Sequence, residues 1–109
     1  MGDYNKLIVA CQVKVDKEEL DLKIQDLRLC TSAYQSQEYI ISVKPSGWPH
    51  RESENCLDLI LVGQTKYGQR QNEFCEWLRP FVIQGSGEND VFAQSFSEYS
   101  DEPKVWKMQ

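Results

Sequence analysis

Alternating apolar and polar residues near the start of the chain predict a β-strand over residues 6–15. The apolar members of the alternation are Leu7, Val9, Cys11, Val13 and Val15. Lys6, Gln12 and Lys14 lie between them, as expected for a strand with one buried face. Ile8 and Ala10 interrupt the polar side, so we expect the strand to be buried on both faces near these two residues.

The next segment, residues 16–31, fits either a helix or a hairpin. In the helix, Asp16 is the N-cap and Glu19 lies three residues on, close to a capping box. The apolar face of that helix is formed by Leu20, Ile24, Leu27 and Thr31. In the hairpin, a turn at Gln25-Asp26 gathers all five large apolar residues of the segment on one face, but Gln-Asp is a poor type I′ turn sequence. The pattern favours the helix, with the hairpin as the alternative.

Three further strands are predicted from apolar runs bounded by turn residues. They cover residues 38–44, 56–63 and 91–97. The run at 56–63 is the most apolar, so we expect it at the centre of the sheet. Val105-Trp106 is expected to pair at an edge.

A second helix is predicted over residues 71–82, because large apolar side chains recur there at helical spacing. They are Phe74, Trp77, Leu78 and Phe81. Pro80 should end or kink the helix near Arg79, since proline lacks a backbone donor. The glycines of residues 85–90 (GSGEND) are expected to cap this helix and lead into the last strand.

The element order predicts an α+β fold with one domain spanning residues 1–109. We expect an antiparallel sheet of about four to five strands, covered on one face by the helix near 70–80 and by a helix near 17–30. With the first helix in place, the order βαββαβ is that of the ferredoxin-like sandwich. With a hairpin at 17–30, that order is lost. The ferredoxin-like fold hosts many functions and identifies none of them.

Charge and cysteine content indicate which partners and which cellular compartment the protein is expected to have. The chain carries 12 Lys and Arg against 17 Asp and Glu, a net charge of −5, which argues against binding to a nucleic-acid backbone. No apolar run approaches a membrane span, and the first residues do not resemble a secretory signal. We therefore expect a cytoplasmic protein with reduced thiols, and the spacing of its four cysteines fits no common zinc site.

Motifs for catalysis are weak. His50 lies near Cys56 in sequence, and a small hydrolase using Cys56 or Cys75 with His50 is one hypothesis. Residues 85–90 lack the Lys-Ser/Thr of a phosphate-binding loop, and acidic residues follow the glycines. No catalytic, cofactor-binding or metal-ligating residue is predicted, and no cofactor is expected.

The C-terminal segment carries the most informative pattern, because aromatic and acidic residues alternate in it. Large rings supply anchoring area at protein interfaces, and charges steer the partner. The predicted partner-binding residues of this segment are Glu98, Tyr99, Asp101, Glu102 and Trp106. The alternative is a final strand whose rings complete the core, followed by an exposed acidic turn. Trp48, in a Gly-Trp-Pro turn, is a further candidate anchor, with capping of the sheet edge as the alternative for this residue.

These observations predict a small, acidic, non-enzymatic protein that inhibits or masks a macromolecular partner with a basic surface, such as a nuclease-like toxin. In size and acidity, and without a catalytic motif, the chain resembles bacterial immunity or anti-defence proteins in profile. Two alternatives stay open: a homo-oligomeric ligand-sensing domain, in which a homodimer hides one sheet face, and the Cys/His hydrolase.

Overall fold

A computed structural model describes residues 5–29, 40–45, 56–65, 68–85 and 90–108. Within these residues the fold is α+β, with an open antiparallel sheet and two helices. The strands are β1 (Asn5–Lys14), β2 (Ile40–Pro45), β3 (Cys56–Thr65), β4 (Val82–Gly85), β5 (Val91–Ser97) and β6 (Lys104–Lys107). The helices are α1 (Lys17–Leu29) and α2 (Gln69–Leu78), and a 3₁₀ turn (Arg79–Phe81) follows α2.

The strands lie in the order β2-β3-β1-β5-β6, and β4 pairs with β1. Every pairing is antiparallel. β5 pairs with the first half of β1 and β4 with its second half, so the two short strands follow each other along the same side of β1. β3 is an inner strand, but β1 and not β3 is the central one. β3 is so apolar because residues on both of its faces are apolar, including the exposed Ile60 and Val62.

Within the segment 16–31, residues 17–29 form the predicted helix, and the hairpin alternative is wrong. Thr31, which was expected on the apolar face of the helix, lies outside the described residues. Asp16 accepts a hydrogen bond from the Glu18 backbone N–H at 3.4 Å, and its carbonyl accepts one from Leu20 N at 3.0 Å. The side-chain bond satisfies a donor that the first helical turn would otherwise leave without a partner, and the carbonyl bond is the first bond of the helix itself. The helix leaves Leu22 61% exposed, whereas the hairpin would have gathered it with the other apolar residues.

Both helices pack on one face of the sheet, and the core lies between them and the central strands. Its members from β1 and β3 are Leu7, Val9, Cys11, Val13, Leu57, Leu59 and Leu61, and those from the helices are Leu20, Ile24, Leu27, Phe74, Cys75 and Leu78. The other face of β1 is open, contrary to the prediction of double burial: Ile8 is 42% exposed and Ala10 half-buried. The face is therefore open around Ile8, although Gln12 and Cys56, which the alternation places on the same face, are buried.

Helix α2 ends at Leu78, close to the predicted stop, and Pro80 falls in the 3₁₀ turn where its missing N–H costs no helical bond. The chain then enters β4, a strand that the sequence did not predict. The proposed helix-capping role of the glycines is therefore wrong for Gly85, which ends β4. A Cβ on Gly85 would lie 2.5 Å from the Val91 carbonyl oxygen, so the residue allows β4 and β5 to approach closely.

Two strands more than the predicted βαββαβ order are present, β4 and β6. β6 lies at the sheet edge next to β5, as expected for Val105-Trp106. The ferredoxin-like assignment stays a prediction.

Candidate functional site

The connection between β5 and β6, residues 98–103, brings together most of the predicted partner-binding residues. We call it the acidic turn. Glu98, Tyr99, Asp101 and Glu102 all lie in it and all are exposed. Tyr99 is the most exposed large apolar side chain among the described residues, at 71%. A ring held out in solvent among three carboxylates is a chemically distinctive surface.

Serine side chains fix the conformation of the acidic turn. The Ser97 hydroxyl oxygen accepts a hydrogen bond from the Tyr99 backbone N–H at 3.2 Å, and the Ser97 carbonyl accepts one from Ser100 N at 3.3 Å. The Ser100 hydroxyl donates to the Glu102 carbonyl at 3.0 Å. Serine favours such turns because its hydroxyl can bond to nearby backbone groups. Tyr99 and the carboxylates are thus presented on a hydrogen-bonded scaffold.

Trp106 is not part of the exposed surface, and its predicted role as an exposed anchor is wrong. The side chain is 1% exposed and lies in the core. Side chains alternate along β6, so Val105 and Lys107 point away from the helices while Trp106 points toward them. The alternative prediction, that a ring of the last strand completes the core, holds for this residue. Trp48, the other predicted tryptophan, lies outside the described residues.

A cavity of about 440 Å³, lined by polar residues and by Trp106, adjoins the acidic turn. Ser100 and Glu102 line it from the turn, Lys104 from β6, and Asn72 from α2. The Lys104 ammonium donates a hydrogen bond to the Asn72 side-chain oxygen, and it lies 5.0 Å from the centroid of the Trp106 ring. The contact with the ring is a cation–π arrangement. Lys104 therefore ties the edge strand β6 to helix α2 across the cavity.

Gln71, the buried polar residue beneath this cavity, connects three elements. Its side-chain N–H group donates to the Asn5 carbonyl at 2.9 Å, and its oxygen accepts a hydrogen bond from the Ser95 hydroxyl at 3.1 Å. Gln71 is completely buried. Sequence reasoning missed the cavity and Gln71, because their residues come from three separate parts of the chain, residue 5, residues 68–72 and residues 95–106. The one available signal is a glutamine on the apolar face of a predicted helix, three residues before Phe74.

The thiols that the hydrolase hypothesis needs are buried. Cys56 and Cys75 both lie below the surface, and Cys75 is completely inaccessible. Burial raises the pKa of Cys75 above its ordinary value, so this thiol stays protonated near neutral pH. Burial, with the Asp58 carboxylate adding to it, raises the pKa of Cys11 to about 12. His50 lies outside the described residues. These surroundings give no thiolate nucleophile at Cys11 or Cys75.

In the part of the chain that the structure describes, no three His, Cys, Asp or Glu side chains are grouped to hold a metal ion. No helix among the same residues is long and apolar enough to cross a membrane. Comparisons with known protein families, with curated proteins and with solved structures find no match to this chain. The site itself must therefore carry the functional argument.

Proposed function

We propose that this chain is a small, non-enzymatic binding protein that inhibits or masks a partner with a basic surface, in the manner of a bacterial immunity or anti-defence protein. The observation that carries the proposal is Tyr99, 71% exposed on a hydrogen-bonded turn among three carboxylates. Tyrosine is enriched among residues that dominate binding energy, since its ring buries a large area at low entropic cost. Carboxylates around it attract a basic partner and raise the association rate.

The rigidity of the acidic turn supports the same function. Binding by a loop that must first be ordered costs free energy for each immobilised side chain and backbone torsion. Three local hydrogen bonds already fix the path of residues 97–102. Much of the conformational entropy of the turn is therefore already lost when the protein folds, and binding need not order it again.

The cavity beside the turn favours a second candidate function, ligand sensing. Its volume of about 440 Å³ falls within the range of small-molecule sites, and it is lined by charged and hydroxyl groups. In that case the ligand would be small and polar, and the homo-oligomeric state stays a separate prediction. Small-molecule binding without any macromolecular partner would favour this alternative.

Affinity capture from the organism that makes the chain tests the first proposal. The bait is the whole protein, immobilised as wild type or with Tyr99→Ala, Asp101→Lys and Glu102→Lys together. We expect the wild type to capture a specific basic protein and the triple variant to lose it. Every changed residue is exposed, so the variant should fold, and circular dichroism checks this.

The matched control reverses two carboxylates elsewhere, Glu19→Lys with Asp26→Lys, both exposed on α1. It changes the net charge as much as the two reversals in the turn. Equal loss of the partner in the control would show that total charge, and not the acidic turn, governs binding. Full retention by the triple variant, or failure of the wild type to capture any partner, would contradict the proposal.

A further inference from the structure

The sheet face turned away from the helices, which we call the open sheet face, has an apolar centre. Ile60 is 53% exposed, Ile8 42% and Val62 39%. The register places Val62 directly opposite Ile8, and Ala10 opposite Ile60, so these side chains adjoin each other. Val105 lies in the same row as Ile8, two strands further on, through Gln94. Ile8, Ile60 and Val62 therefore form a contiguous apolar patch across β3 and β1, and Gln94 of β5 separates Val105 from it.

Lysines surround this patch. Lys6 and Lys14 lie on the open sheet face because they alternate with the buried residues of β1, and both are exposed. Lys44 and Lys107 reach the same face from β2 and β6, next to residues that pack toward the core. Asp58 lies directly opposite Lys44 on this face, and every other described carboxylate lies outside the strands. Four lysines and one aspartate thus surround the apolar centre.

We propose that the open sheet face is a second binding surface, which takes an acidic amphipathic helix of a partner protein. Apolar side chains of that helix would cover Ile8, Ile60 and Val62, and its flanking carboxylates would meet the lysines. From β3 to β6 is three strand spacings, about 14 Å, which equals the rise of about ten helical residues. A helix of three turns therefore spans the face from the apolar patch on β3 to Val105 on β6.

Charge and chemistry favour this occupant over two others. Stacking a second copy face to face would bring the lysine rims of both copies together, and like charges at a desolvated interface are unfavourable. Single-stranded nucleic acid binds sheets chiefly through aromatic rings on which bases stack. The centre of this patch is aliphatic, with Phe96 as the one exposed ring on the described part of the face. The open sheet face meets the acidic turn at one corner, where Lys6 and Phe96 line a cavity together with Glu98. The two proposals call for partners of opposite charge, so neither depends on the other.

Titration of the full chain with two synthetic peptides, followed by amide NMR, tests the proposal. One is a fourteen-residue amphipathic helix with leucine on one face and glutamate beside it, and the other has every glutamate replaced by lysine. We expect only the acidic peptide to shift resonances of β1 and β3 around Ile8 and Ile60. Lys6→Glu with Lys44→Glu should weaken its binding about tenfold, the effect of two ion pairs beside an apolar contact.

The control pair reverses two exposed charges on the helices, Lys17→Glu with Arg70→Glu, and should change the affinity less than about twofold. Equal binding of both peptides, or of neither, would overturn the proposal. So would oligouridine that shifts the same β1 and β3 resonances, since it would assign the face to nucleic acid. Light scattering that shows a dimer with those resonances protected would assign it to a second copy.

Discussion

Gln71 joins helix α2 to β1 and β5 from inside the protein, and Gln71→Met would remove its hydrogen bonds while nearly keeping its volume. The bonds lost include the one to the Asn5 carbonyl and the one from the Ser95 hydroxyl. Depriving a buried group of its partner costs about 1–3 kcal/mol, whereas the buried methionine gains some apolar contact. We therefore expect the free energy of unfolding to fall by about 2–4 kcal/mol.

Urea denaturation followed by circular dichroism measures this change. Gln69→Met, on the same helix but exposed, is the control and should cost less than about 0.5 kcal/mol. Ser95→Ala in the Gln71→Met background should cost less than it does alone, because the hydroxyl has already lost its acceptor. If Gln71→Met unfolds at the wild-type urea concentration, the buried connection does not stabilise the fold as we argue.

Three further outcomes are expected. Gly85→Ala should lower the free energy of unfolding in urea titrations by about 1–3 kcal/mol, since a Cβ there would meet the Val91 carbonyl. If the variant is as stable as the wild type, β4 and β5 can move apart at that point without cost. The free energy of unfolding should fall between about pH 9 and 11, because the thiols of Cys11 and Cys75 ionise in the unfolded chain but stay protonated in the folded protein. The loss should reach about 1.4 kcal/mol per pH unit for each thiol. Alanine at both positions should flatten this slope relative to wild type, and an unchanged slope would assign it to other groups. Tyr99→Ala should leave the urea midpoint unchanged, since the ring is 71% exposed; a large loss would mean that the ring packs on the protein.

Periodicity predicted the elements whose side chains pack against one face. Apolar residues at a spacing of two predicted β1, and apolar residues at a spacing of three to four predicted α2. The N-cap residue Asp16 indicated that α1 is a helix, and its side chain does accept a hydrogen bond from the first turn. β4 was missed because its four residues, Val82–Gly85, are too few to show a period. The double burial expected at Ile8 failed for another reason. An apolar run does not reveal whether a second layer covers it, and here none of the described residues does.

The candidate site was predicted in part. Clustering of Glu98, Tyr99, Asp101 and Glu102 follows from their proximity in sequence, and their exposure from turn residues around them. The position of Trp106 depends on strand register, which fixes the face on which each β6 residue lies and cannot be inferred from a short edge segment. The cavity and the lysine rim join residues from distant strands and α2, so only the folded chain brings them together.

The association rate of the captured partner, measured over a series of salt concentrations, tests most directly whether the acidic turn is the binding surface. For the wild type we predict fast association that slows as salt screens the carboxylates. Asp101→Lys with Glu102→Lys should slow association at low salt by about tenfold or more, with a smaller change in dissociation. Association at the wild-type rate in this variant, or a rate indifferent to salt, would contradict the account.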